Sequence, residues 1–123
     1  MNTVRASSVK RGAWAEDLAC RHLLDHGLRL IMRNYRCRHG EIDLVMRDGT
    51  TITFVEVRFR NRTDYGSGAE SVDARKQARL LSSAEHYLQR HATLLAECRF
   101  DVVSILQSRN INRLEWIRNA FSA

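Results

Sequence analysis

A predicted β-hairpin over residues 40–58 constrains the fold of this chain more than any other stretch. Apolar and polar residues alternate along both halves of the stretch, and an Asp-Gly pair at 48–49 separates them. An Asp-Gly pair between two alternating runs favours a short hairpin turn. A slip of one residue would move every side chain of a strand to the other face, so the turn position determines which side chains can meet.

Closing the hairpin on the Asp-Gly pair predicts which acidic side chains face each other. Asp43 would lie opposite Phe54, and Glu41 opposite Glu56. Side chains that are directly opposite share a sheet face, so Asp43, Glu56 and Arg58 would project to the same side. Asp43 and Glu56 would be diagonal neighbours about 7–8 Å apart. That separation suits a cation held by two carboxylates at oxygen distances of about 2.0–2.6 Å.

The same pattern also fits an ordinary solvent-facing side of an antiparallel hairpin. Two features count against that alternative. Glu41 opposite Glu56 would be a like-charge pair, which is destabilising without a counter-ion. Glu56 also lies inside an apolar run at 52–57 that is typical of a central strand, where a carboxylate needs a partner.

Length and charge limit the kind of protein. A chain of 123 residues is enough for one domain, and we expect a disordered segment at 1–8 before a single domain at 9–123. The net charge of +6 favours a polyanionic partner. The sequence contains no apolar run of about 18 residues that could span a membrane. Three cysteines without C-x-x-C spacing indicate reduced thiols in the cytoplasm.

The first predicted helix carries an acidic residue on its packed side. Ser8 is the expected cap of a helix from about Val9 to His26, which Gly27 would end. On this helix Glu16 falls in line with Ala19, Cys20 and Leu23. Glutamate is seldom buried unpaired, so Glu16 is either a site residue or a rim residue whose carboxylate reaches water.

The order of the remaining elements predicts an α/β fold. The second helix starts at Ser71 or Asp73 and ends near His91, with Lys76 one turn before Leu80 and so near its apolar face. The expected order is α-β-β-β-α-β-β, a mixed central sheet with a helix on each side. The predicted strands are 28–33, the two halves of the hairpin, 99–106 and 114–118.

Two basic connections are candidates for nucleic-acid contact. Arg36 and Arg38 precede the hairpin, beside Tyr35, which could stack on a base. Arg60 and Arg62 follow the hairpin in a segment that we expect to be a mobile loop able to hold a phosphate backbone. Ordinary solvated loops are the alternative at both places. The neighbouring His39 is interpreted as a loop residue without a metal-binding role.

Several spaced motifs resemble the PD-(D/E)XK nucleases and, more closely, the YraN-like family of small bacterial proteins, which is similar to archaeal Holliday-junction resolvases. The resemblance extends over roughly 12–121 and implies a restriction-endonuclease-like core. The motifs that carry it are Gly40-Glu41-Ile42-Asp43-Leu44, Phe54-Val55-Glu56-Val57-Arg58, Lys76-Gln77, Arg99-Phe100-Asp101-Val102-Val103 and Asn119-Ala120-Phe121.

The resemblance also implies a catalytic centre. By that analogy Asp43 and Glu56 are metal ligands, the Val57 carbonyl is a third, and Glu16 completes the site directly or through water. An all-oxygen site suits Mg²⁺ or Mn²⁺. Such an ion neutralises a scissile phosphate and lowers the pKa of a bound water.

This chain departs from the family pattern at Arg58, where the family usually has lysine. Lysine can shift its pKa and approach the attacking water, whereas arginine stays protonated. Arg58 could stabilise charge on the phosphate, or Lys76 could supply the missing ammonium. Alternatively the site binds nucleic acid and no longer cuts it.

These observations predict a metal-dependent endonuclease-like protein acting on DNA in preference to RNA, with branched or damaged DNA as the suggested substrate. The main alternative is a non-catalytic nucleic-acid-binding module on a nuclease scaffold, and a weaker one is a protein-interaction domain. Resolvase-like enzymes make paired cuts as dimers, so a homodimer is expected by analogy alone.

Overall fold

The computed structural model describes residues 3–61, 72–91, 96–108 and 111–122. The elements follow the predicted order α-β-β-β-α-β-β, and the predicted α/β class is confirmed. The elements are α1 (Thr3–Asp25), β1 (Arg29–Cys37), β2 (Gly40–Asp48), β3 (Thr51–Asn61), α2 (Ala74–His91), β4 (Cys98–Ser108) and β5 (Ile111–Phe121).

All five strands form one mixed sheet in the order β1-β2-β3-β4-β5. The β3–β4 pair is parallel, and the other three pairs are antiparallel. A parallel pair requires a crossover connection, which α2 supplies. This arrangement is consistent with the restriction-endonuclease-like core that the resemblance implied.

The two helices cover opposite faces of the sheet. On the α1 face, Ala19 and Leu23 pack in one cluster with Leu44 and Val55 of the sheet. On the α2 face, Tyr87 of α2 packs in a second cluster with Val45 and Phe54 of the sheet. Because both faces are covered, every residue of β2 from 42 to 46 is buried. Neither described helix is long and apolar enough to cross a membrane.

The helix ends follow the predicted signals except at the start of α1. At its C-terminus Gly27 has a φ of 94°, and the Leu28 N–H donates to the Leu23 carbonyl, as in a Schellman motif. Asp73 caps α2 by accepting the Lys76 N–H at 2.8 Å. The predicted start near Val9 is wrong, since helical backbone begins at Thr3, within the segment that composition predicted to be disordered.

The hairpin register differs from the predicted one. Asp48 pairs with Thr51 and Leu44 with Val55, so Gly49 and Thr50 are the turn residues. Gly49 has a φ of 62° at the first central position, where a type II′ turn takes glycine. The pairing is displaced by two residues, which leaves every side chain on its predicted face.

Two local predictions, one in the hairpin and one before it, are wrong. Glu41 does not oppose Glu56; it pairs with Arg36 across β1 and β2 through a 3.1 Å ion pair. The connection predicted after residue 33 is strand as far as Cys37, and Tyr35 in it is buried in the core. A buried Tyr35 does not offer its ring for stacking on a base.

A buried aspartate joins β4 to the end of β5. Asp101 accepts hydrogen bonds from Arg99 Nε at 3.0 Å, Trp116 Nε1 at 3.0 Å and the Asn119 N–H at 2.9 Å. Arg99 also reaches Asp48 at 2.9 Å. Asp101 is thus a satisfied structural carboxylate, which gives the Arg99–Asp101 and Asn119 motifs a role in the fold.

Replacing Asp101 by Asn should lower the free energy of unfolding by about 3–5 kcal/mol, because it leaves the Arg99 charge without its buried partner. Urea denaturation followed by circular dichroism measures the loss. The exposed Asp25→Asn variant is the control and should stay within about 0.5 kcal/mol of the parent. Equal stabilities of the Asp101 variant and the parent would contradict the structural role.

Candidate active site

The candidate site lies where β2 separates from β3. Their pairing ends at Leu44 and Val55, although a continued register would place Asp43 opposite Glu56. In place of a ladder bond, the Val57 N–H donates to the Asp43 carboxylate at 2.8 Å. Beyond this point β3 stays paired with β4. We call this separation of the two strands the fork.

Both carboxylates at the fork are buried. Asp43 is 9% exposed and Glu56 is 5% exposed, so the solvent-facing alternative for this hairpin is wrong. Two cations approach Glu56: Lys76 Nζ of α2 lies 2.6 Å from Glu56 Oε2, and Arg58 Nη1 lies 3.9 Å from the same oxygen. The cation that a buried carboxylate requires therefore comes from the crossover helix and from β3 itself.

The environment of Asp43 favours its protonated form. Burial raises the pKa of Asp43 to about 8, and the nearby Glu56 and Glu16 carboxylates add to the rise. The hydrogen bond from the Val57 N–H acts in the opposite direction. A carboxyl group with so strong a preference for the neutral form, next to a second carboxylate, is typical of a site prepared for a cation.

Glu16 reaches the same site from α1. Its carboxylate contributes to the raised pKa of Asp43, and Arg33 Nη2 of β1 lies 3.5 Å from Glu16 Oε1. Arg33 also holds Asp17 at 2.7 Å. The packed-side position predicted for Glu16 is confirmed, but its partner Arg33 was missed. No local pattern signals that pair, because the two residues lie in different elements.

Two clefts open on either side of the fork and share Asp43, Glu56 and Lys76. The first has a volume of about 350 Å³, and the second, beside α2, about 250 Å³. The first is also lined by Gly12, Ala15, Glu16, Val57, Arg58 and Phe59, and the second by Gly40, Glu41, Arg79 and Leu80. The lining of the first cleft therefore includes all five residues predicted to be catalytic, together with Val57.

The donor chemistry at the fork suits a hard divalent cation. Asp43 and Glu56 offer carboxylate oxygens, and Val57, the next residue after Glu56 on β3, offers a backbone carbonyl. Among the residues that the structure describes, no group of three His, Cys, Asp or Glu side chains is placed to hold a metal ion. Glu16 is instead paired with Arg33, and Lys76 already supplies positive charge to Glu56. Metal ligation by this set stays a prediction.

The predicted nucleic-acid contacts are spread over the surface and do not gather at the fork. Arg36 is exposed and paired with Glu41, and Arg38 is exposed at the turn between β1 and β2. Arg60 is partly buried on β3. Arg62 lies outside the described residues.

Sequence reasoning missed the contact that seats α2 against the hairpin. Gly40 has a φ of 142°, which favours glycine, and a Cβ there would lie 3.4 Å from Ser83 Oγ and 3.8 Å from Arg79 Cβ. The close approach positions Lys76, one turn before Arg79, over the fork. The spacing of Lys76 and Arg79 on one helix face was the available sequence signal.

The raised pKa of Asp43 predicts how stability depends on pH. The folded protein binds this proton more tightly than the unfolded chain, so the stabilisation is complete below the ordinary value of 3.8 and is lost as the pH rises through about 8. Asp43→Asn keeps an acceptor for the Val57 N–H and removes this dependence. As the pH rises through this window, the free energy of unfolding of the variant should increase relative to that of the parent by up to about 1.4 kcal/mol per pH unit.

Urea denaturation at a series of pH values between these limits measures the difference between the two stability profiles. Asp25→Asn, which removes an exposed carboxylate, should run parallel to the parent. If the Asp43→Asn profile also ran parallel, Asp43 would not carry the proton.

Comparison with known proteins places the chain in a family. The profile of uncharacterised protein family UPF0102 matches residues 15–105. The chain is 50% identical over 119 residues to a UPF0102 protein of Stutzerimonas stutzeri, covering 96% of this chain and 99% of that protein. A UPF0102 protein of Methylobacillus flagellatus is 53% identical over 109 residues, covering 89% and 94%. The chain therefore belongs to the UPF0102 family, in agreement with its YraN-like motifs.

Proposed function

We propose that this protein is a metal-dependent endonuclease that hydrolyses phosphodiester bonds of DNA, with branched or damaged DNA as the suggested substrate. The observation that supports this most is the buried pair Asp43 and Glu56 at the fork, with Lys76 and Arg58 beside it. Two carboxylates that share a site and two cations that face the same cleft are suited to hold a divalent ion and a phosphate together.

In this proposal each residue at the fork has a separate task. Asp43, Glu56 and the Val57 carbonyl would hold Mg²⁺ or Mn²⁺. When bound, such an ion neutralises the phosphate and acidifies the attacking water. Glu16 would orient a water in the cleft, and Arg58 would hold a phosphate oxygen. Arginine stays protonated, so Arg58 stabilises charge and does not remove a proton.

Lys76 would have two positions in the cycle. Without a metal ion, its ammonium neutralises Glu56 at 2.6 Å. With a metal ion held by the two carboxylates, Lys76 would no longer be needed to neutralise Glu56. Lys76 could then pair with the phosphate that enters the cleft. Metal and substrate would therefore bind more readily together than alone.

The second candidate is a nucleic-acid-binding module that does not cut. The Lys76–Glu56 ion pair favours it, because the buried carboxylate is already compensated without a metal. Arg58 in place of the family's lysine favours it as well. This candidate predicts salt-sensitive binding that a chelator does not change.

The proposal also includes a cellular compartment and an oligomeric state. Cys20, Cys37 and Cys98 are all free thiols, which fits a reducing cytoplasm. A cut in each of two strands of a branched substrate would need two active sites, so the proposal includes a homodimer. The mass of the protein on DNA, measured by light scattering, tests that part.

Replacing either carboxylate should abolish metal binding and cleavage. Asp43→Asn and Glu56→Gln should each weaken Mn²⁺ binding, measured by calorimetry, by at least about 100-fold, the upper range for loss of an outer partner of a metal site. Cleavage of branched, nicked and single-stranded DNA should fall in parallel. Asp25→Asn is the matched control, since it removes one exposed acidic charge far along α1.

Cleavage by both variants at the parent's rate would refute the endonuclease proposal. Binding of DNA by the parent without cleavage in Mg²⁺ or Mn²⁺, unchanged by chelator, would establish the second candidate. Circular dichroism of each variant confirms that the fold is retained.

Lys76→Met should separate the two tasks of Lys76. Removing the competing ammonium should tighten Mn²⁺ binding about tenfold, which corresponds to about 1.4 kcal/mol. Cleavage should fall nonetheless, because the phosphate loses a cation. Arg75→Met, which removes an exposed cation from the adjacent position of α2, is the control and should change neither quantity. Weaker Mn²⁺ binding by Lys76→Met would show that the ammonium does not compete with the metal.

A further inference from the structure

A second basic pocket lies between the turn that joins β1 to β2 and the middle of α2. It has a volume of about 240 Å³ and is separate from the two clefts at the fork. None of its residues has a task in the proposed reaction at the fork. We call it the histidine pocket, and its lining residues are Arg38, His39, Ser82, Glu85, His86 and Gln89.

A buried hydroxyl fixes the central side chain of this pocket. The Tyr35 hydroxyl is hydrogen-bonded to His86 Nδ1, and the Tyr35 ring is buried in the core. When the hydroxyl donates to Nδ1 of a neutral imidazole, the ring proton resides on Nε2. His86 is thereby held by β1 and keeps Nε2 as a donor for a ligand.

The charges around His86 are mostly positive. His39 lies across the pocket, with its ring centroid 6.0 Å from that of His86. Partial burial lowers the pKa of His86, and the surrounding cationic and titratable groups lower it further. Those groups are, in order of effect, Arg90, His39, Arg38 and His91; Glu85 is the acidic side chain that lines the same pocket.

An anion is the ligand that this arrangement accommodates. It would accept a hydrogen bond from His86 and pair with Arg38, and it would offset the repulsion between the two cationic sides of the pocket. A phosphate group presents several acceptor oxygens and a negative charge, which matches donors that converge from a loop and a helix.

The histidine pocket and the fork lie along the same helix. Lys76 lines the clefts at the fork, and His86 is ten residues later on α2, a distance of about 15 Å along its axis. Arg79 lies between them, where α2 packs against Gly40. An axial distance of about 15 Å corresponds to about four nucleotides of one DNA strand. α2 thus carries an ammonium group at one end and a histidine N–H donor at the other end of a path long enough for a short stretch of strand.

We propose that the histidine pocket binds a backbone phosphate of the nucleic-acid strand whose scissile bond lies at the fork. The proposal rests on the proposed function for its substrate class, but it concerns binding and needs neither metal nor cleavage. When His86 carries protons on both nitrogens, the Tyr35 hydroxyl can accept from Nδ1 instead of donating to it. A bound phosphate favours this protonated form, so binding should be stronger near pH 6 than near pH 8.

The first test uses inorganic phosphate and a hexathymidylate in the presence of EDTA near pH 6, with histidine ring signals followed by NMR. We expect saturable shifts of the His86 and His39 signals with both probes. Arg38→Gln should weaken both titrations about tenfold, as for one charge-assisted hydrogen bond. Arg38 is exposed, so this variant should retain the fold. The His26 signal, from the exposed end of α1, is the internal control and should not move.

The second test measures anisotropy of a labelled DNA duplex against salt, again in EDTA. Near pH 6, where the phosphate-bound His86 is protonated, Arg38→Gln and His86→Gln should each lower the slope of log affinity against log salt by about one phosphate contact. His26→Gln is the matched control and should keep the parent's slope.

The outcomes separate this proposal from the proposed function. If the His86 and His39 ring signals respond to neither probe, the proposal that the histidine pocket binds phosphate is wrong, whatever the cleavage assay shows. Ring shifts with inorganic phosphate, combined with parental DNA binding by both pocket variants, would also overturn it, because the pocket would then lie off the strand's path. Phosphate binding in the histidine pocket without any DNA cleavage would support the pocket proposal and refute the endonuclease proposal.

Discussion

The burial of Asp43 and Glu56 together is the constraint on which the rest of the site depends. Two carboxylates in one buried place repel each other and lose hydration, so the fold must supply opposite charge and hydrogen bonds to them. The Val57 N–H is available to Asp43 only because β2 separates from β3 at Leu44. Lys76 is available to Glu56 only because the crossover helix lies over the fork. Sheet geometry and site chemistry therefore depend on each other.

The placement of α2 links the fork to the histidine pocket. Asp73 caps its first turn, and Ser83 and Arg79 pack closely over Gly40, whose φ of 142° favours glycine. A helix that is seated at one point on a rigid sheet presents its residues at fixed spacing on either side of that point. Lys76 falls on one side and His86 on the other. The spacing of Lys76 and His86 along α2 thus follows from the seating of the helix on the sheet.

Two buried aspartates in the same sheet show how a structural acid differs from a candidate functional one. Asp101 is surrounded by donors: a guanidinium, an indole and a backbone N–H all reach it. Among the described residues, Asp43 receives one backbone N–H; burial raises its pKa to about 8, and the Glu56 and Glu16 carboxylates add to the rise. Both residues belong to motifs that resemble the YraN-like family. Their surroundings indicate that the Asp101 motif maintains the fold, whereas the Asp43 motif belongs to the candidate site.

The sequence by itself determined the order of the elements, the α/β class and the set of acidic residues that meet. Alternation with a period of two assigns a side chain to a sheet face and survives a register shift of two residues, so Asp43 and Glu56 were correctly placed together. Only the tertiary structure decided that this face is buried, that Gly49 and Thr50 form the turn, that Tyr35 belongs to the core, and that Glu16 pairs with Arg33. These features depend on contacts between residues far apart in the chain, which no local pattern of residue types encodes.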